Sequence, residues 1–176
     1  MPIFRIRIVG RLDLPAVNAI IEQSLRSWTT TERVKRLALP IYRYQQEDLD
    51  HMWLLVAKSQ EGNLAGVAAL EEADKQDLPQ QDNGILLHGI YVKPQFMGRG
   101  VGGELLEASA GIARSLGYRG LLVKAVRQST GFFERYGLQA IRATSSSDYP
   151  HRYWLATAST IRNHPDHQPC SRAASI

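Results

Sequence analysis

Between Ile85 and Gly103 the chain reads ILLHGIYVKPQFMGRGVGG, and four of its last six residues are glycine. A strand-like apolar run leads through a short basic turn into glycines that open an amphipathic segment. Glycines at a helix N-terminus leave backbone N–H groups uncovered, and those donors, with the positive end of the helix dipole, hold phosphate oxygens. The chemistry on offer is that of a phosphate-bearing cofactor. Glycine is entropically expensive, so four in six residues argue against a helix entry that binds nothing. Two kinds of side chain upstream could move protons. His88 precedes Val92 by four residues, and Glu71 and Glu72 end the previous apolar run. A histidine packed on a sheet and carboxylates solvated at a strand end are the structural alternatives, and the residues alone leave them open.

Gly98-Arg99-Gly100-Val101-Gly102-Gly103 formally satisfies the G-x-G-x-x-G dinucleotide fingerprint. Its context does not fit. The fingerprint's first glycine follows its strand directly, whereas Lys93 to Met97 intervene here, and LLVKAVRQ offers no acidic residue at the end of the next strand. No lysine followed by Ser or Thr closes the glycines, which excludes a Walker loop.

The elements that must position these groups are legible in outline. Phe4, Ile6 and Ile8 alternate with Arg5 and Arg7, the period of a half-buried strand. A helix follows, with Asp13 as expected N-cap, Pro15 in the first turn and Leu14, Val17, Ile20, Ile21 and Leu25 at helical spacing. The stretch TTTERVKRLA reads as a short helix stopped by Pro40, with Trp28, Tyr42 and Tyr44 around it. MWLLVAKS and LAGVAALEE form a hairpin about residues 60–63, and the polar segment 73–83 is read as a loop. Ile85 to Val92 is a strand containing Gly89, and glycine inside a strand often marks a bulge or a close approach. Arg99 to Leu116 is a helix with Gly117 as its stop. LLVKAV is a strand, GFFERYG a short helix, and LQAIRAT and HRYWLAT are late strands.

The bulk properties are compatible with one soluble domain. The chain has 176 residues, 44% hydrophobic and 22% charged, with a net charge of +4 from scattered basic residues that make no nucleic-acid stripe. Its single cysteine, Cys170, excludes a disulfide framework. No apolar run nears the roughly 18 residues of a membrane span, and the N-terminus lacks a signal-peptide core, so cytoplasm is expected. From residue 158 to 176 the chain reads as a polar, disordered tail. His164, His167 and Cys170 recur there at three-residue intervals, but no fourth ligand is visible and no metal site is expected.

The stretch V-x-P-Gln95-x-x-Gly98-x-Gly100-x-Gly102 resembles the acetyl-CoA motif of the GCN5-related N-acetyltransferase (GNAT) superfamily, whose core is Q/R-x-x-G-x-G/A. The segment Gly131-Phe132-Phe133-Glu134-Arg135-Tyr136-Gly137-Leu138 resembles that family's late F-Y-x-x-x-G-F box, and the order of elements from residue 3 to 157 matches its fold. The resemblance implies an α/β (α+β) domain over residues 1–157: a mixed, mainly antiparallel twisted sheet of six to seven strands flanked by about four helices. It implies acetyl-CoA as co-substrate, with its pyrophosphate on Gly98, Arg99, Gly100, Val101, Gly102 and Gly103. The pantetheine arm would lie on Ile90, Tyr91 and Val92, with Phe133 close by.

The implied activity is acetyl transfer to a primary amine, on a small molecule or a protein. Transfer would be direct within a ternary complex, since no cysteine lies near the motif. His88 is the expected base, because the strand around it is similar to that of arylalkylamine N-acetyltransferases, where histidine passes the proton through water; Glu71 is its rival. The family's acid tyrosine aligns with Phe133, which has no proton to give, and Tyr136 is the expected substitute. That departure keeps a non-catalytic acyl-CoA-binding regulatory module as an alternative. Trp28, Tyr42 and Glu72, with Tyr44, Tyr149 and Trp154 as further aromatics, are expected on the acceptor side, and the protein is expected as a monomer or homodimer.

Overall fold

The computed structural model of the chain describes residues 4–79, 82–142 and 151–158. Tyr149, the spaced histidines and cysteine, and the tail after residue 158 lie outside the described residues. Seven strands form one sheet in the order β1-β2-β3-β4-β5-β7-β6. They are β1 (Phe4–Ile8), β2 (Met52–Ser59), β3 (Leu64–Glu72), β4 (Gly84–Val92), β5 (Gly120–Ala125), β6 (Gln139–Ile141) and β7 (His151–Ala156). All neighbours are antiparallel except β4 and β5, which run parallel. The helices are α1 (Leu14–Arg26), α2 (Glu32–Ile41), α3 (Val101–Ser115) and α4 (Thr130–Arg135).

Strand alternation sorts the apolar residues into two cores. Leu55, Ala57, Ala68 and Leu70 face α3, whereas Leu54, Val56, Val67 and Ala69 face α1. β2 and β3 are therefore buried on both faces, which is why their sequences read as unbroken apolar runs rather than alternating ones. β1 is the sheet edge, and its last expected inward residue, Ile8, is 57% exposed.

Local sequence explains most of the helix ends, with two corrections. Thr31 caps α2 by accepting from the Val34 N–H at 3.3 Å, and Pro40 sits inside the last turn rather than stopping the helix before it. Asp13 precedes α1 but does not cap it. Its carboxylate instead accepts two bonds from Arg7 at 2.7 Å and one from the Gly10 N–H at 2.8 Å. Those bonds draw the Asp13 carboxyl down to about 2. α3 ends as expected at Gly117, whose φ of 79° is left-handed, with the Tyr118 N–H bonded to Ala113 O at 2.9 Å.

The polar segment after β3 is less free than its composition implies. Ala73 and Leu78 are buried against Leu122 and the half-buried Trp154. Asp77 accepts from the fully buried Arg152 at 2.7 Å and from Lys124, which ties this loop to β7 and β5. Burial pushes the Asp77 carboxyl up, but the hydrogen bonds from Lys124 and Arg152 outweigh it and hold it below its ordinary value. Asp77→Asn removes the carboxylate charge facing the buried Arg152 and the partly buried Lys124, and should cost about 3 kcal/mol in urea unfolding. Because the folded carboxyl titrates below the unfolded one, wild-type stability from this contact is full above about pH 4 and fades as pH falls further. The variant should lack that acid-side loss.

Candidate active site

The sheet opens beside the candidate proton-transfer residues. β4 pairs with β5 only from Gly84 to Leu87, opposite Gly120 to Val123, and then the strands part. From His88 to Val92, β4 keeps β3 on one side and presents its other backbone edge to the gap. A second irregularity falls at the same place. Gly89 opposes Ala69 and Leu87 opposes Leu70, so His88 is the extra residue of a bulge. The bulge turns His88 out of the packed alternation, and its Nε2 lies 3.4 Å from Glu71 Oε1. Both side chains are solvent-accessible, at 44% and 35% exposure. Alternation sends Glu72 to the other face, exposed, so the structure brings Glu71 to His88 and leaves Glu72 apart.

Gly89 is needed for a close approach. A Cβ there would stand 2.6 Å from the Tyr91 hydroxyl, which folds back over it. Tyr91 is buried and its hydroxyl is hydrogen-bonded to that of Tyr44. Burial, countered in part by this bond, pushes the Tyr44 hydroxyl well above its usual range. Asn18 on α1 locks Tyr44 in turn, its Oδ1 accepting from the Tyr44 N–H at 2.9 Å and its Nδ2 donating to the Tyr44 carbonyl at 2.8 Å. Tyr42 stacks edge-on against Tyr91 at 6.1 Å and against Trp28 at 5.9 Å. Trp28 Nε1 is a buried donor with no partner among the described residues. The expected acceptor-side aromatics Trp28 and Tyr42 thus pack on the α1 side of the sheet, and Tyr42 reaches β4 through the Tyr91 ring. Trp154 does not join them, because it packs with Ala73, Leu78 and Leu122 in the space left by the paired Gly84 and Gly120.

The glycine turn forms a cradle at the start of α3. Gly98 and Gly100 have φ of 73° and 84°, left-handed values that side chains disfavour. The N–H groups of Gly98, Gly100, Val101, Gly102 and Gly103 have no hydrogen-bond acceptor among the described residues. These donors surround the positive end of a 15-residue helix. Arg99 is exposed beside them, its guanidinium over the Phe96 ring at 5.7 Å. Glycines 102 and 103 have a second duty. A Cβ on Gly102 would meet the Phe132 ring at 3.2 Å, and one on Gly103 would overlap the Tyr136 hydroxyl.

That packing revises one expected role. Phe133 is wholly buried, between Phe132 and Tyr153, so its ring supports the core instead of presenting itself to a cofactor. Phe132 is the half-buried ring beside the cradle. Tyr136 rests on α3, and burial raises its hydroxyl above the ordinary tyrosine value, so it stays protonated there. Sequence reasoning missed Asn18 and Asp77. No local signal marks either, because each acts on a segment far away in the chain.

The geometry defines a class: an α/β domain whose parallel strand pair splays open beside a helix-borne anion cradle, able to hold a nucleotide thioester. The acetyltransferase (GNAT) family model matches residues 17–138, and the chain belongs to that family. The activity that names this family is acetyl transfer. A comparison with curated proteins finds no match. Among solved structures, the chain is similar to a GNAT family acetyltransferase from Brucella melitensis in complex with acetyl-CoA, at 19% identity and a TM-score of 0.60, covering 93% of each chain. It is also similar to the PaiA N-acetyltransferase from Thermoplasma acidophilum in complex with coenzyme A, at 16% identity and a TM-score of 0.68, covering 87% of this chain and 98% of that one. A GCN5-related N-acetyltransferase from Rhodopseudomonas palustris is 20% identical with a TM-score of 0.63, covering 88% and 94%. At these identities the structures bear on the fold. No helix among the described residues is long and apolar enough to cross a membrane.

Proposed function

We propose that the protein transfers an acetyl group directly from acetyl-CoA to a primary amine. The observation that carries this reading is the coincidence of the bulge at His88, facing Glu71, with the parting of β4 from β5 and the anion cradle. The cosubstrate supplies an activated acetyl thioester. Backbone N–H groups from Gly98 to Gly103 hold its pyrophosphate, and Arg99 adds charge from the rim. The β4 edge beyond Leu87, from which β5 has parted, takes the pantetheine amides as an added strand would be taken, and an N–H on this edge supplies the donor for oxyanion charge.

The acceptor enters from the α1 side, past Trp28 and Tyr42. Alkylamines have a pKa of about 10, so the nucleophile must shed a proton at neutral pH. His88 receives it, directly or through water, while the Glu71 carboxylate faces the charge arriving on the imidazole. The leaving group needs no dedicated acid, since a thiol pKa of about 8.5 makes the thiolate tolerable. Tyr136 then serves as packing between α3 and α4.

Calorimetric titration with acetyl-CoA, followed by thiol release across a panel of amines, tests the reading. Binding with amine-dependent release supports it. Absence of CoA binding refutes it outright. A second reading is favoured by Phe133, which places a buried hydrocarbon where the family box has a hydroxyl. Under it the protein senses acyl-CoA without turnover, and tight binding with no release on any amine would select it.

A further inference from the structure

The second helix carries an apolar face that nothing among the described residues covers. Val34, Leu37 and Ile41 are 49%, 63% and 81% exposed, although all three are aliphatic. Their i, i+3, i+7 spacing places them on one side of α2. The opposite side packs on the body, through Leu39 against the α1 core and through Lys35, which donates to Arg26 O at 2.8 Å and pairs with Glu32. Arg33 and Arg36 are exposed along the border of the apolar stripe, and Arg43 is exposed just beyond its end. None of these three arginines makes an ion pair among the described residues.

We infer that the outer face of α2 docks an acidic, apolar protein segment that carries the acceptor lysine. The inference rests on the acetyl-transfer reading for what happens to that lysine. The stripe supplies apolar anchors at helical spacing, and the arginines select a partner with carboxylates beside its own apolar residues. A second copy of this chain is a poor occupant, because a two-fold α2–α2 contact would set the arginine rows against each other. A flat anionic membrane is opposed by the acidic turn at Glu47, Asp48 and Asp50, only six residues beyond the helix. The face also leads to the site. Ile41 ends the stripe and adjoins Tyr42, whose ring meets Tyr91, whose hydroxyl covers Gly89 beside His88. A segment seated on α2 therefore runs toward the gap in the sheet.

The test uses the full chain and a blocked helical peptide of about fourteen residues, with leucines at helical spacing, glutamates beside them and one lysine. Fluorescence anisotropy should show binding of this peptide in preference to its counterpart with lysines in place of the glutamates. Leu37→Asp and Ile41→Asp, both at exposed positions, should each weaken it at least about tenfold while leaving CoA affinity unchanged. Arg33→Glu combined with Arg36→Glu should reverse the preference between the two peptides. Equal binding of both peptides, no binding of either, or indifference to Leu37→Asp overturns the inference. So does Leu37-dependent binding to phosphatidylglycerol vesicles, or a dimer in sedimentation that Leu37→Asp dissolves. Loss of CoA binding with peptide docking intact would instead count against the transfer reading, so the two failures are distinguishable.

Discussion

Gly100→Glu is expected to abolish detectable CoA binding while the protein stays folded. Gly100 sits at the N-cap of α3 with φ of 84°, and its carbonyl accepts from the Glu104 N–H at 3.1 Å. Any side chain there meets two obstacles. The left-handed backbone costs about 1–2 kcal/mol for an L-residue, and the new atoms stand where phosphate oxygens must approach the N–H groups. Glutamate adds a like charge against the pyrophosphate. Gly100→Asn separates the two effects, because asparagine tolerates the left-handed region. It should melt close to wild type yet bind CoA at least about tenfold more weakly, a loss of about 1.4 kcal/mol in binding. The glutamate variant should lose at least about 100-fold, or about 2.7 kcal/mol. Calorimetry and thermal melts read both quantities. Retained affinity in Gly100→Glu would move the pyrophosphate away from this turn.

His88→Ala should lower acetyl transfer about 100-fold at neutral pH, the range for loss of a positioned base. The deficit should shrink as pH rises toward the amine pKa of about 10, where the acceptor is already free. His88 is a bulge residue with an exposed side chain, so truncation should leave the melting temperature and CoA affinity unchanged. Glu71→Gln should show a smaller effect in the same direction, since it removes the charge facing the imidazole but not the base. A deficit that is flat with pH would make His88 a structural residue of the bulge.

The chemistry-bearing segment was legible because it is local. Glycine spacing, the strand before it and the helix after it sit within one continuous segment from Gly84 to Ser115, and backbone sterics alone select glycine at Gly98 and Gly100. The hairpin of β2 and β3 was legible for the same reason. Their facing was not. Unbroken apolar runs carry no record of which residue meets α1 and which meets α3, and only two-sided burial explains them.

The errors share one cause. Asp13 has the right type and place for a cap, but Arg7 offers a charged partner that the helix N–H groups cannot match. Phe133 occupies a motif position whose usual hydroxyl faces the ligand, and here it is packed against Tyr153 from a distant strand. Trp154 read as a pocket aromatic until Gly84 and Gly120, brought side by side by parallel pairing, provided its bed.

By itself the sequence determined that a cradle of uncovered backbone N–H groups opens α3, where we propose the pyrophosphate binds, because the exposure of those groups depends on which residues lack side chains. Tertiary structure alone decided the rest of the site: that β4 leaves β5 after Leu87, that the bulge turns His88 toward Glu71, and that Asn18 and Tyr44 hold Tyr91 over Gly89. Those relations join residues up to 73 positions apart, from Asn18 to Tyr91. Pairing across such distances is set by the sheet's closure as a whole and leaves no periodic trace along the chain.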